Sequence, residues 1–271
     1  MRTVELEIPI DTRLFGPRQV LVREVLGFTM TGWAAWMRKY VVAFPKLIRE
    51  FRSGVVILNQ HVEFPREFGF FDAEAFTLRV CPLVAHGNGR LLCQRYELVV
   101  DGEVFAAASA VARVVNLLDD KGFDARPGTL PSAVMERLEA TERVVPLPKR
   151  RMPTLPEALE PIATGTHTFR VERHQCEVAE QWCYIDVASH AESARTELAL
   201  ATGADKRLRA GLKRPFKSID LAYTNPMFVF DTAKIETKVF ADGEDLLWVH
   251  QIVSAIGAER VHATVFERHA A

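Results

Sequence analysis

The chain has 271 residues, of which 48% are hydrophobic and 25% charged, and this globular composition excludes a wholly disordered protein. Its 34 Lys and Arg residues nearly balance its 35 Asp and Glu residues, and the formal net charge of -1 argues against a dedicated nucleic-acid binder. We find no secretory signal layout and no apolar run near the roughly 18 residues of a membrane span. With four cysteines and no Cys-x-x-Cys spacing, we expect a reduced, cytoplasmic protein.

The first half predicts one helical stretch between strands. A short strand is indicated at 19–25, and apolar residues then recur at three- and four-residue spacing from Trp33 to Phe51, as on a helix with one buried face. Pro45 predicts a kink or the start of a second helix, and Gly54 predicts the end of the helical stretch. Strand patterns follow at 54–64, 75–83, 90–100 and 103–118, with a hairpin turn at Asp101-Gly102.

Proline placement divides the chain. Seven of its 14 prolines lie between residues 127 and 161, a stretch that therefore cannot form the core of a sheet. We predict two domains, 1–120 and 162–271. They are joined by a proline-rich linker at 121–161, which contains a short helix beginning at Ser132.

The second half repeats the order of elements of the first. Its helix is predicted at 184–201, with Gly203 as its stop and Asp242-Gly243 as a hairpin turn. Strands are predicted at 168–176, 218–224, 233–240, 246–255 and 260–267. The repeat predicts an α+β fold of two tandem units, each a long central helix wrapped by an antiparallel sheet. Because one such unit leaves a sheet edge open, we expect the two to pair as a pseudo-dimer.

Residues 175–198 resemble the opening of the hotdog-fold acyl thioesterases, in which an Asp-x-Asp-x-x-Gly loop leads into a central helix. Glu192-Ser-Ala-Arg195 matches the family's Glu-x-Ala-Arg-type helix end. Residues 218–226, followed by Asp231, are similar to the next strand of the family, which runs into a proline and an acidic turn. The resemblance spans nearly the whole chain. It implies two tandem hotdog domains acting on thioesters of acyl carrier protein or coenzyme A, in fatty acid or polyketide metabolism.

Site residues follow from this resemblance in both halves. Glu177 stands where the family has its loop carboxylate, and Tyr184 stands where many members have His or Asn at the helix start. In the first half, Glu24 takes the loop position and Thr31 stands opposite Tyr184. The sequence departs from the family at Glu180-Gln181, which replaces Gly-His or Gly-Gly. It also lacks the Asp-x-Asn-x-His pattern of the plant-type acyl carrier protein enzymes in that loop.

Thioester hydrolysis needs a carboxylate that activates water or attacks the acyl carbon, together with donors that stabilise the oxyanion. A helix N-terminus supplies such donors, so a carboxylate just ahead of one is placed to act as base or nucleophile. Glu177 and Glu24 both fit this role. For each, the alternative is a solvated loop glutamate that stabilises the helix N-terminus.

A second candidate group lies on the predicted second helix. Asp186 and His190 are four residues apart, about one turn into the helix, and can share one face. A carboxylate that orients an imidazole forms an acid/base unit. The alternative is an ordinary pair on the helix surface.

Other polar residues are candidates for contact with the substrate. Asn59 and His61 share a predicted strand face with Val55 and Ile57, and they either line a pocket or form hydrogen bonds at the rim of the sheet. Asn225 precedes a proline and either forms a turn or touches the substrate.

Trp182 lies at the corner between loop and helix. Core packing explains it, but the same corner would also form the wall of an acyl pocket. The basic run 206–214 predicts a solvated face, or a surface for the phosphates of coenzyme A or an acidic carrier protein. The eight histidines show no zinc-ligand spacing and Cys176 and Cys183 have no evident His partner, so we expect no metal and no cofactor.

The sequence therefore predicts an acyl-thioester hydrolase with Glu177, His190 and Asp186 as its principal groups. One alternative is a dehydratase, decarboxylase or acyltransferase that acts on carrier-bound chains. Another is a non-catalytic module that binds acyl thioesters, which a pKa raised by burial at Glu177 would argue against. The expected partner is the thioester substrate, and the sequence leaves open a further homo-oligomer of the pseudo-dimer.

Overall fold

The chain forms two compact units, Met1–Arg150 and Arg151–Ala271. The computed structural model describes residues 2–118, 124–139, 160–201, 203 and 205–269. Most of the predicted linker, residues 121–123 and 140–159, lies outside the described residues, so the division at 120 and 162 stays a prediction. The predicted helix at Ser132 is confirmed, since a helix spans Ser132–Glu139.

Unit 1 combines an antiparallel sheet with a long helix. Its elements are β1 (Val4–Pro9), α1 (Val22–Tyr40), α2 (Phe44–Phe51), β2 (Ser53–Glu63), β3 (Ala75–Val80), β4 (Val84–His86), β5 (Leu91–Val100), β6 (Glu103–Leu117), β7 (Ala125–Pro127) and α3 (Ser132–Glu139). The main strands follow the order β1-β3-β5-β6-β2, while β4 pairs with β5 and β7 with β6. Helix α1 packs against β3 and β6.

The helical stretch of unit 1 differs from the prediction at both ends. The strand predicted at 19–25 is wrong, because α1 already begins at Val22 and buries Val25 completely. As predicted, a second helix begins beside Pro45. It ends at Phe51 because Arg52 turns the chain in the left-handed conformation (φ 48°), and Gly54 is part of β2.

Close packing at Gly32 makes a testable prediction for α1. A Cβ at this position would lie 2.8 Å from Val80 Cγ2 and 3.0 Å from Tyr96 Cδ1. We expect Gly32→Ala to lower the free energy of unfolding by about 1–3 kcal/mol, since overpacking outweighs the better helix propensity of Ala. Gly27→Ala, in the same helix, adds a Cβ with nothing within 4 Å and should raise that free energy by about 0.5–1 kcal/mol. Urea unfolding checks both, and shifts of the same sign would contradict the prediction.

Unit 2 repeats the topology of unit 1. Its elements are β8 (Ala163–Arg170), α4 (Asp186–Leu200), α5 (Lys206–Gly211), β9 (Phe216–Tyr223), β10 (Thr232–Asp242), β11 (Asp245–Ser254) and β12 (Val261–His269). The strand order β8-β10-β11-β12-β9 is that of β1-β3-β5-β6-β2 in unit 1. Helix α4 packs against β8, β10 and β12. The predicted repeat of elements is therefore confirmed, whereas the pairing of the units as a pseudo-dimer stays a prediction.

Two tight turns fall where the sequence predicts them. Asp101 and Gly102 both have positive φ, 52° and 82°, as the common two-residue hairpin turn requires. Gly243 has φ 62° between β10 and β11. In contrast, the strand predicted at 168–176 ends at Arg170. Within the described residues, no helix is long and apolar enough to cross a membrane.

Candidate functional site

The segment between β8 and α4 holds Glu177 in a tight turn. A single 3-10 turn (Arg173–Gln175) is closed by a capping box between its last residue and Glu172. Cys176 then bridges Trp182 in a short antiparallel ribbon, and the Glu177 N–H donates to the carbonyl four residues further on at 2.9 Å. Glu177 therefore lies where the chain reverses ahead of α4, as the resemblance implied.

The carboxyl of Glu177 has its pKa raised by burial among protein atoms. The residue as a whole is exposed to solvent, so water can reach it. Glu180, three residues later, adopts a left-handed conformation (φ 55°) and its N–H donates to the Glu177 carbonyl at 3.0 Å. A carboxylate with a raised pKa accepts a proton more readily than an ordinary one, which suits a general base.

His190 lies in an aromatic setting beside this ribbon. Its ring stacks on Phe169 with centroids 3.9 Å apart and meets the edge of Trp182 at 5.5 Å. Its Nε2 lies 2.9 Å from Nε2 of Gln175, whose amide oxygen is held by the backbone N–H of Glu172 at 2.8 Å. The Gln175 amide nitrogen must donate, so His190 Nε2 accepts and a neutral ring carries its proton on Nδ1.

The charges around His190 oppose one another. Burial lowers its pKa to about 4, while the charge of Asp186 acts to raise it and that of His167 to lower it. Asp186 is buried and is the first residue of α4, whereas the sequence predicted it one turn into the helix. His167 in turn lies 2.9 Å from Glu197 Oε1 through its Nδ1. The charge of Asp186 thus acts on the ring of His190, which is neutral at physiological pH, and their role as an acid/base pair stays a prediction.

The lowered pKa of His190 makes the stability of the protein sensitive to acid. Below pH 6.5 the unfolded chain takes up a proton at this imidazole, whereas the folded chain does so only near pH 4. The free energy of unfolding should therefore fall as the pH drops from 6.5 to 4, by up to about 3 kcal/mol from this group. Urea unfolding of His190→Gln should lose this part of the pH dependence, whereas the exposed control His174→Gln should keep it. Titration of His190 near pH 6.5, observed by NMR, would contradict the assignment.

The backbone amides at the start of α4 are only partly free. The N–H of Asp186 donates to the Cys183 carbonyl at 3.1 Å, and that of Val187 donates to the Tyr184 carbonyl at 3.3 Å. The Tyr184 carbonyl also accepts from the Tyr223 hydroxyl at 3.2 Å. The Ile185 amide has no acceptor among the described residues, so it is an open donor at this helix end.

Trp182 and Asn225 have different surroundings. Trp182 is 7% exposed, and its indole Nε1 has no hydrogen-bond partner within the part of the chain that the structure describes. A buried donor without an acceptor in the protein is available to an acceptor on a bound molecule. Asn225 donates from Nδ2 to the Val261 carbonyl at 2.6 Å, which holds it against the start of β12. Its role in substrate contact stays a prediction.

The predicted placement of Glu24 and Thr31 is wrong. Glu24 lies in the first turn of α1 and not in a loop, with its Oε1 3.2 Å from Nη1 of Arg23. Thr31 is exposed near the middle of the same helix. It therefore does not correspond to Tyr184, which lies just ahead of α4. The cause is the early start of α1 at Val22: the turn ahead of this helix lies earlier in the chain, where Phe15 bridges Val20.

A β-bulge also corrects the predicted strand face of β2. Ile57 pairs with Ala112 and Asn59 with Val111, so Leu58 is an extra residue in the ladder. The bulge reverses the alternation, and Asn59 and His61 lie on the face opposite to Val55 and Ile57. His61 is buried, 3.8 Å from the carboxylate of Glu63. Asn59 Oδ1 is buried without a hydrogen-bond partner among the described residues.

Sequence reasoning missed two residues that contact His190, Phe169 and Gln175, and a third, His167, whose charge affects its pKa. His167 and Phe169 alternate along β8, which places both on one face of the strand. Gln175 follows Glu172 by three residues, the spacing of a capping box. The alternation along β8 and the capping-box spacing can both be read from the sequence. Among the described residues, no three His, Cys, Asp or Glu side chains form a group that could hold a metal ion.

Comparison with known proteins shows which fold this is. No protein-family model matches the sequence, and no curated protein sequence matches it significantly. Solved structures do match. A candidate oleoyl thioesterase from Lactobacillus plantarum superposes with a TM-score of 0.75 at 11% identity, covering 98% of this chain and 94% of that one.

Two further matches span nearly complete chains. The 12:0-ACP thioesterase from Umbellularia californica has a TM-score of 0.72 at 13% identity, over 100% of this chain and 98% of that one. An acyl-ACP thioesterase from Bacteroides thetaiotaomicron has a TM-score of 0.69 at 11% identity, over 99% and 98%. The predicted α+β hotdog fold is thereby confirmed, and the chain shares the fold of the acyl thioesterases along nearly its whole length.

Proposed function

We propose that the protein hydrolyses acyl thioesters of acyl carrier protein or coenzyme A, at a site in unit 2 between the turn of Glu177 and the start of α4. The observation that carries the proposal is the unsatisfied indole N–H of Trp182, buried beside a neutral His190. Such a donor suits the carbonyl oxygen of a bound thioester. The fold shared with acyl thioesterases supports the choice of this substrate class.

The chemistry can be assigned to named groups. The Glu177 carboxylate takes a proton from water, and the resulting hydroxide attacks the thioester carbonyl carbon. The indole N–H of Trp182 and the open amide of Ile185 would stabilise the tetrahedral oxyanion. Collapse of this intermediate breaks the carbon–sulfur bond. The leaving thiolate then takes the proton from Glu177, which yields a free acid and a thiol.

His190 would position the reacting groups. Its neutral ring contacts Trp182, and its Nε2 accepts a hydrogen bond from the amide of Gln175. A ring that remained uncharged down to about pH 4 would keep this arrangement constant in the range where Glu177 changes its charge. Tyr184 would contribute its backbone turn to the wall of the site.

The test is thiol release from one acyl group presented on acyl carrier protein, on coenzyme A and on pantetheine. A chain-length series from acetyl to oleoyl is needed because the acyl group is unknown. The proposal predicts stoichiometric release of thiol and free acid. An altered acyl group without thiol release, seen by mass spectrometry, would instead identify a dehydratase, decarboxylase or acyltransferase. Tight binding of unchanged thioester would identify a binding module, which the raised pKa of Glu177 argues against.

A further inference from the structure

Helix α5 and the turn after it present a strongly positive surface. Five of the nine residues from 206 to 214 are basic, in a chain with a net charge of -1. Lys206, Arg209 and Lys213 are exposed and form no ion pair with any described residue. The spacing i, i+3 and i+7 places them on one side of the turns, because the Leu212 and Lys213 amides continue the helical hydrogen bonding. We call these three residues the basic face.

Local electrostatics explain only part of the basic face. The helix dipole favours Arg209, which lies in the last turn of α5, but it disfavours Lys206, which lies in the first turn. Like charges three and four residues apart also destabilise a helix. Asp205 is the acidic residue nearest in sequence, and its carboxylate is bound to Arg207 at 2.7 Å, outside the basic face. A local arrangement that opposes stability is expected where function requires it.

The helix that carries the basic face is anchored to unit 2. Leu208 is fully buried in a cluster with Trp248 and Ala199, so α5 is fixed to the core of unit 2. Arg209 Nε donates to the Ala199 carbonyl at 3.3 Å. The backbone that carries the three cations is therefore fixed before a partner binds.

The position of the basic face in unit 2 indicates what kind of partner can use it. Helix α5 packs on the C-terminal end of α4, whereas the proposed site lies at the N-terminal end. At about 1.5 Å per residue, the helix from Asp186 to Leu200 separates them by about 20 Å. A partner on the basic face therefore reaches the site only through a long flexible arm, as the prosthetic arm of a carrier protein would allow. The three cations are spread over two turns, which fits an extended acidic surface better than one compact phosphate group.

We propose that the basic face docks the acidic surface of an acyl carrier protein, which delivers its acyl arm to the site ahead of α4. This inference rests on the proposed function. The test variant is Lys206→Glu/Arg209→Glu/Lys213→Glu, whose three residues are all exposed. The control Arg18→Glu/Arg38→Glu/Lys46→Glu changes three exposed residues of unit 1 and alters the net charge equally.

With the acyl group on carrier protein, the test variant should show KM raised about tenfold or more at low salt and kcat unchanged. The same acyl group on coenzyme A or pantetheine should react as in the wild type, and the control variant should behave as the wild type throughout. An equal loss with coenzyme A and carrier protein would overturn the proposal in favour of phosphate binding. An unchanged KM for the carrier substrate would overturn it as well.

Docking can be measured without hydrolysis. Fluorescence anisotropy with labelled apo acyl carrier protein should show that the wild type binds it and that this binding weakens with added salt. The affinity of the test variant should be about tenfold lower. If no thioester is hydrolysed, the proposed function fails and this binding measurement still decides the docking surface. Absence of salt-sensitive binding, or equal binding by the test variant, would overturn it.

Discussion

Replacing Arg195 by Met is expected to lower the free energy of unfolding by about 3–5 kcal/mol, because it leaves a buried carboxylate without its counter-charge. Arg195 Nη1 donates to Oε2 of Glu267 between α4 and β12, and the two residues are 4% and 1% exposed. Urea unfolding measures the loss. Lys217→Met, which breaks the exposed ion pair with Asp245 at 2.8 Å in the same unit, should change the free energy by less than about 1 kcal/mol.

The large loss of stability expected for Arg195→Met follows from the surroundings of Glu267. Its Oε2 also lies 3.5 Å from His250 Nε2 and 3.4 Å from His269 Nε2, and both imidazoles are buried. Burial would raise the pKa of Glu267, but the charge of Arg195 and hydrogen bonding from the two histidines hold it well below 4.5. Because this pKa is lower in the folded than in the unfolded chain, the stabilisation is present above pH 4.5 and is lost as the pH falls.

A double variant distinguishes the ion pair from simple packing. Arg195→Met/Glu267→Leu removes both charges, so no uncompensated charge remains and part of the stability should return. A loss equal to the sum of the two single variants would contradict this interpretation. The sequence had matched Arg195 only to the family's helix end, and its buried partner lies 72 residues away along the chain.

The elements that the sequence predicted well are those set by local patterns. Apolar spacing predicted α1 and α4 within a few residues apart from the early start of α1, and Asp101-Gly102 and Gly243 predicted their hairpins. The repeated order of elements predicted the repeated topology. Strand β1 was not predicted, although its alternating Val-Glu-Leu-Glu-Ile is an equally clear local pattern.

What the sequence could not provide depends on contacts distant along the chain. Leu58 forms a bulge because of its pairing with β6, so strict alternation assigned Asn59 and His61 to the wrong face. The neutral state of His190 depends on Phe169 and Trp182, which are packed around it by tertiary structure. The position of Glu177 was predictable from the resemblance, but its raised pKa was not, because burial is a property of the folded chain.

Glu177→Gln is expected to lower kcat for thioester hydrolysis by about 10²–10⁴-fold, the usual loss when a general base is removed. KM should change little, because the amide has the shape of the carboxylate and loses only its ability to take a proton. The exposed position of the residue leads us to expect an unchanged free energy of unfolding, which urea denaturation would verify. Steady-state assays of thiol release with the best substrate of the acyl series measure the rate effect.

The matched control lies in the same turn. Glu180→Gln removes an exposed carboxylate that pairs with Arg173 at 3.2 Å, and it should leave kcat unaffected because Glu180 has no part in the proposed chemistry.

The pH profile of the rate is a second check. The wild-type rate should fall as the pH drops through the pKa of Glu177, and the raised pKa places that fall above pH 4.5. In Glu177→Gln this fall of the rate at low pH should disappear. If the variant kept both the wild-type rate and this fall, another group would be the base, and Asp186 is the nearest candidate on the helix.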